Sequence, residues 1–151
     1  MIETVVCETN DAAYNCGRLL AIFDALQEDS NRMQGVRLEG PGVVERYYGT
    51  ASSAPNSAFG ILWRLHQHHL RKLNRAGERG RAAALAIEGR IAGIARLFCQ
   101  PSSGLPPEFP RTFTLVEQGR FALGFYQEKA ASADRKVDAM KAKAAQKQTK
   151  E

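Results

Sequence analysis

Between positions 64 and 81 the sequence sets out cationic side chains at helical intervals: Arg64, His68, Arg71, Lys72 and Arg75, continued by Arg79 and Arg81. Arg64, His68, Arg71 and Arg75 stand three or four residues apart, so on an α-helix they fall on one face, and Lys72 widens the stripe. A guanidinium forks onto two phosphate oxygens without reading a base, so such a row suits a polyanion backbone or an acidic protein surface. If four or five of these groups neutralise phosphates, affinity falls by roughly two to three orders of magnitude between 50 and 200 mM salt. Just upstream, Tyr47 and Tyr48 are candidates for stacking on unpaired bases, set against the blander reading of two rings half in the core and half at the surface.

The same stretch holds His66, His68 and His69. As metal ligands they fail, because 66 and 69 share a face but no Cys, Asp or Glu nearby completes a site. Arg64 and His69 satisfy the R-x4-H spacing of HEPN-type helical ribonucleases, but that spacing is short and common in basic helices, and no further polar residues support it. The favoured reading makes His66 or His69 a hydrogen-bonded histidine at the margin of the core. Cys7, Cys16 and Cys99 are odd in number and far apart, which indicates neither a disulfide framework nor a zinc site and fits a reducing compartment. No catalytic residue, cofactor or metal is assigned, and no enzyme is predicted.

A chain of 151 residues that is 44% hydrophobic buries one modest core. Its net charge of +5 hides an asymmetry: residues 1–30 carry six carboxylates against Arg18, whereas residues 64–100 carry eight arginines and lysines against Glu78 and Glu88. A second basic region follows Lys129. No apolar run reaches membrane-spanning length, and the first residues lack the pattern of a signal peptide, so a soluble cytoplasmic protein is expected.

These residues must be positioned by helices. Ile2 to Cys7 reads as an extended arm. Thr9, Asn10 and Asp11 offer capping oxygens to a first helix ending near residues 28–31. A short second helix starts at Val43 and is stopped by Gly49, and a third has Pro55 in its first turn and ends at 74–77; the free N–H groups at its start either bind a phosphate or, on the favoured reading, are capped by Ser52 or Ser53. Phe59, Leu62, Trp63, Leu70 and Leu73 mark its apolar side. A fourth helix spans about 78–98, with Gly89 and Gly93 admitting a neighbouring helix closely. Four prolines make residues 101–110 a loop, and Thr114 with Glu117 forms a capping box ahead of a fifth helix. The fold expected is all-α: a compact bundle of about five helices over residues 1–128, followed by a basic helical or disordered tail over 129–151.

Several phrases carry a resemblance. Residues 15–26 with the Leu-Gln-Glu-Asp-Ser-Asn continuation, residues 46–55, His68-His69-Leu70 with Lys72-Leu73, and Glu117-Gln118-Gly119-Arg120-Phe121-Ala122-Leu123-Gly124-Phe125-Tyr126 resemble the C-terminal region of the large subunit of the type I-C CRISPR surveillance complex, Cascade. Because the chain begins at its own Met1, without the long portion that reads the protospacer-adjacent motif, it is similar to the separate small subunit produced from an internal start in the large-subunit message. The resemblance implies a helical bundle lying along the belly of the complex. Its partners would be the backbone subunits, the large subunit, other copies of itself, the CRISPR guide RNA, and target DNA including the displaced strand. The implied task is to stabilise the guide–target hybrid and hold that displaced strand, without catalysis. Two other functions compete: a free-standing basic helical adaptor for an acidic protein, and a HEPN-like ribonuclease.

Overall fold

Asp11 starts the first helix: its carboxylate accepts the Tyr14 N–H at 2.8 Å, and α1 then runs Ala12–Met33. The structure, a computed structural model, describes residues 9–37, 40–100 and 103–150. The expected N-terminal arm therefore lies outside the described residues. Four more helices follow: α2 (Val43–Ser53), α3 (Pro55–Asn74), α4 (Gly77–Ala95) and α5 (Leu115–Gln148), with a 3-10 turn at Arg96–Phe98 closing the fourth. Among the described residues there is no strand, and the fold is the expected all-α bundle.

Helix α1 is buried on more than one side, through Ala13, Cys16, Leu19, Leu20, Ile22, Phe23 and Leu26, as befits a helix with neighbours all round. Its most extensive packing is against α5, and α2, α3 and α4 cover the rest. Two glycines set the α1–α5 distance. A Cβ on Gly17 would land on the Phe121 carbonyl, and one on Gly124 would land on the Tyr14 carbonyl. The expectation that Gly89 and Gly93 admit a neighbour is corrected here: Gly89 has nothing within 4 Å, and the nearest group to Gly93 is the Arg96 guanidinium.

Gly49 does not stop α2, which continues to Ser53 and breaks where Pro55 forces Ala54 out of the helical region, to φ −134° and ψ 69°. The Ser52 and Ser53 hydroxyls both donate back to the Gly49 carbonyl, so neither caps α3. That duty falls to the loop before α5. Asn56 N–H donates to the Pro110 carbonyl and Phe113 N–H to the Ser53 carbonyl, both at 2.9 Å. Phe109 from this loop stacks on Phe59 with ring centres 4.7 Å apart and tilts against Phe98. The capping box forms as expected: Glu117 N–H donates to the Thr114 hydroxyl, and Thr114 N–H to the Glu117 carboxylate. From there α5 is continuous through residues 128–129, buries Ala131, and carries the basic stretch outward as exposed helix.

Gly17→Ala and Gly124→Ala are each expected to lower stability by about 2–3 kcal/mol, since the backbones must separate. Gly89→Ala, in open helix, is expected to raise it by roughly 0.5–1 kcal/mol. Urea unfolding of the three variants measures the contrast.

Candidate functional site

Helix α3 sorts its residues cleanly. Phe59, Leu62, His66, His69, Leu70 and Leu73 are buried, with Trp63 and Leu65 packed at the edge of the core. Arg64, His68, Arg71 and Arg75 are all exposed, and at about 100° per residue they share a sector roughly 60° wide. Among the described residues none of the three arginines pairs with a carboxylate; the ion pairs involve Arg18, Arg32, Arg120, Arg135 and Lys136 instead. Lys72 lies half-buried on the shoulder of this face, its carbonyl accepting from Gln34 Nε2 at 3.0 Å.

Arg79 and Arg81 do not simply prolong the stripe. The chain turns at Gly77, whose φ of +85° lies in the left-handed region, and α4 begins with a new phase. On α4 the two side chains lie about 160° apart, on opposite flanks of the buried stripe of Ala84, Ile87 and Ile91. Arg79 lines a groove with Arg32, Lys136 and Lys143, whereas Arg81 faces the other way, one turn from exposed Leu85. Four of the seven predicted contact residues thus form one face, Lys72 borders it, and Arg79 and Arg81 diverge.

Tyr47 and Tyr48 are both half-buried against the core. The Tyr48 ring meets Phe121 and Phe125 at 5.4 and 5.2 Å, nearly perpendicular to each, which fastens α2 to α5. Tyr48 is therefore engaged by its own protein. The structure also brings together cations that the spacing did not single out: Arg90 on α4, Arg96 in the turn that closes it, Arg18 on α1 and Arg135 on α5. They come from three helices, so no local pattern marks them.

His66 and His69 are core residues. The His66 ring stacks on Phe23 at 4.9 Å, nearly parallel, with Trp63 edge-on at 4.4 Å. At His69 the expected hydrogen bond is missing, both ring nitrogens being buried without a partner, whereas His66 has the Trp63 and Leu62 carbonyls close by, although its Nδ1 has no partner of good geometry. Burial pushes both pKa values down to about 4; the nearby Trp63 and Leu62 carbonyls resist this at His66, and His68 and Lys72 add to it at His69. Arg64 and His69 lie about 140° apart around α3, so within one chain they do not converge as an acid–base pair. Cys16 is fully buried, and its thiol pKa is raised well above the usual range, first by burial and then by Asp11.

Because the folded histidines are neutral while the unfolded chain binds protons below about pH 6.5, stability is full above that pH and falls as pH drops towards 4. His66→Phe, which keeps the stacking on Phe23, is expected to flatten the fall by up to about 1.4 kcal/mol per pH unit. Urea unfolding at several pH values between 4.5 and 7.5 reads the difference.

No curated protein matches the chain. Among the described residues, no helix is long and apolar enough to cross a membrane. A family model described as CRISPR-associated protein (Cas_Csd1) matches residues 6–133, most of the helical bundle including the cationic face of α3, and the chain therefore belongs to the Cas_Csd1 family of CRISPR-associated proteins.

Proposed function

We propose that this protein is a non-catalytic small subunit of a type I-C CRISPR surveillance complex, gripping nucleic-acid backbone without regard to sequence. In that role it stabilises the guide RNA–target DNA hybrid and the displaced strand. The observation that carries the reading is the α3 face, where Arg64, His68, Arg71 and Arg75 are exposed and the three arginines have no carboxylate partner among the described residues. Membership of the Cas_Csd1 family supports it. In an RNA-guided complex base pairing supplies the specificity, so a subunit beside the duplex needs only to hold phosphates.

A subunit also needs surfaces for its neighbours. On α5 the outward residues Val116, Leu123, Tyr126, Val137 and Met140 are between 48% and 72% exposed, and they recur at steps of three, four or their sums. A stripe of that period along a 34-residue helix is suited to packing against another protein surface. This favours an assembly subunit over a free-standing monomer.

The test pairs composition with charge. Mass measurement of the intact assembly is expected to find the protein with a guide RNA and several larger subunits. With four phosphate contacts, the slope of log affinity for duplex DNA against log salt is expected near −3.6. Arg71→Glu with Arg75→Glu is expected to bring that slope to about −1.8 with the fold intact. Affinity independent of salt and unchanged in the double variant would reject the reading in favour of an adaptor for an acidic protein. RNA cleavage lost with His69→Ala would instead point to a nuclease.

A further inference from the structure

Helix α5 packs on α1 and α2, and α4 packs on α1 and α3. An open trough is thereby left between α4 and α5, with α1 as its floor. At one end, a groove of about 500 Å3 joins the start of α1 to the end of α4 and is lined by Asn10, Asn15, Arg18, Arg90, Gly93 and Arg96, with no carboxylate among the described residues of its wall. At the other end, Arg79 of α4 faces Lys136 of α5 across a second groove of about 610 Å3.

The centre links the two ends. Glu128 is buried on α5, and its carboxylate accepts from Arg18 Nε at 3.4 Å and from Arg135 Nη2 at 3.3 Å. Arg90 projects into the same neighbourhood from α4, and its Nε is buried with no hydrogen-bond partner. Burial and the field of Arg135 disfavour its charge, while Glu128 and Asp29 support it. Asp29 is already shared by Arg32 at 2.9 Å and Lys136 at 3.8 Å. Among the described residues Arg18 and Arg135 pair with Glu128 and Lys136 pairs with Asp29, while Arg79, Arg90 and Arg96 pair with no carboxylate. Asp24, Glu28 and Glu45 line a further groove on the α2 side of α1, whose wall Asp29, Arg32 and Lys136 share.

A half-buried guanidinium with an unpaired Nε, among like charges, is costly unless an anion completes it. Two open grooves, one between α1 and α4 and one between α1, α4 and α5, lie on either side of the Glu128 cluster, and so extended an arrangement fits a chain of phosphates better than a compact organic ligand. From Arg79 to Arg96 the wall provided by α4 extends about 25 Å at 1.5 Å per residue. We infer that the trough between α4 and α5 is a second binding site for a nucleic-acid strand, holding its phosphodiester backbone on Arg90, Arg96 and Arg18 at one end and on Arg79 and Lys136 at the other. The site is formed from residues separate from the α3 face. It rests on the proposed function only for the class of ligand.

The experiment uses the full chain and a fluorescein-labelled, mixed-sequence 20-nucleotide single-stranded DNA, with anisotropy read between 50 and 200 mM salt. Arg90→Gln with Arg96→Gln is expected to weaken binding about tenfold and to reduce the size of the salt slope by about 1.4, two contacts at about 0.7 each. Arg96→Gln alone, at an exposed position, is expected to lose about half that slope and keeps the test readable where Arg90→Gln perturbs folding. Combined with Arg71→Glu and Arg75→Glu, the losses should multiply, since the two sets share no partner. Wild-type binding by both trough variants, with weakening only in the α3 variant, overturns the trough and leaves the α3 face standing. Weakening only by the trough substitutions supports the trough and overturns the α3 reading. If neither set changes the affinity, both sites are rejected and an acidic protein becomes the occupant to seek.

Discussion

The bundle depends on two backbones touching. Where α1 crosses α5, Gly17 and Gly124 remove the side chains that would hold the helices apart, and each faces a carbonyl of the other helix. Close approach at one point fixes what meets along the rest of the crossing: the Tyr14 hydroxyl donates to Gln127, Arg18 reaches Glu128, and Arg120 reaches Asp11 at 3.3 Å. It also sets which part of α5 is free. With Phe121, Phe125 and Ala131 turned inward, Val116, Leu123, Tyr126 and Met140 must turn outward.

The cationic face of α3 follows from burial rather than from any attraction between its own charges. Phe59, Leu62, Leu70 and Leu73 each gain about 1.5–3 kcal/mol from leaving water. Repulsion among solvated guanidiniums is weak by comparison, a like-charged i,i+4 pair on a helix surface costing only about 0.2–0.5 kcal/mol. The apolar side therefore decides the orientation, and the arginines are carried to the surface at little cost. Charge that is cheap to hold in water becomes valuable when a phosphate chain neutralises several groups together and releases its counterions.

What was legible in the sequence was local. The Asp11 cap, the Thr114–Glu117 box, Pro55 at the head of α3 and the two-faced pattern of that helix are all settled within about four residues, and the structure bears them out. What was misread depends on contacts far apart in the chain. Gly17 and Gly124 are 107 positions apart and look no different in sequence from Gly89 and Gly93, because a glycine in a helix does not announce which neighbour needs its missing side chain. Ser52 and Ser53 were plausible caps until the 103–114 loop supplied the Pro110 carbonyl. Arg79 and Arg81 extend the stripe only if the helical phase of α3 is carried across Gly77, where the chain turns.

Glu128 joins the fold to the surface charge. A carboxylate 2% exposed is tolerable only when paired, and both of its pairing partners are arginines, from α1 and from a later turn of α5. Each is only partly buried itself, with its side chain 19% or 43% exposed, so some of the cost of burying the acid is met by drawing two cations to the edge of the trough. One acid held by two bases leaves the neighbourhood positive. Arg90 adds a third base that pairs with no carboxylate among the described residues, and the same packing that protects Glu128 therefore concentrates positive potential between α4 and α5. The interior salt bridge and the exterior field are two consequences of where Gly17 and Gly124 let α5 lie.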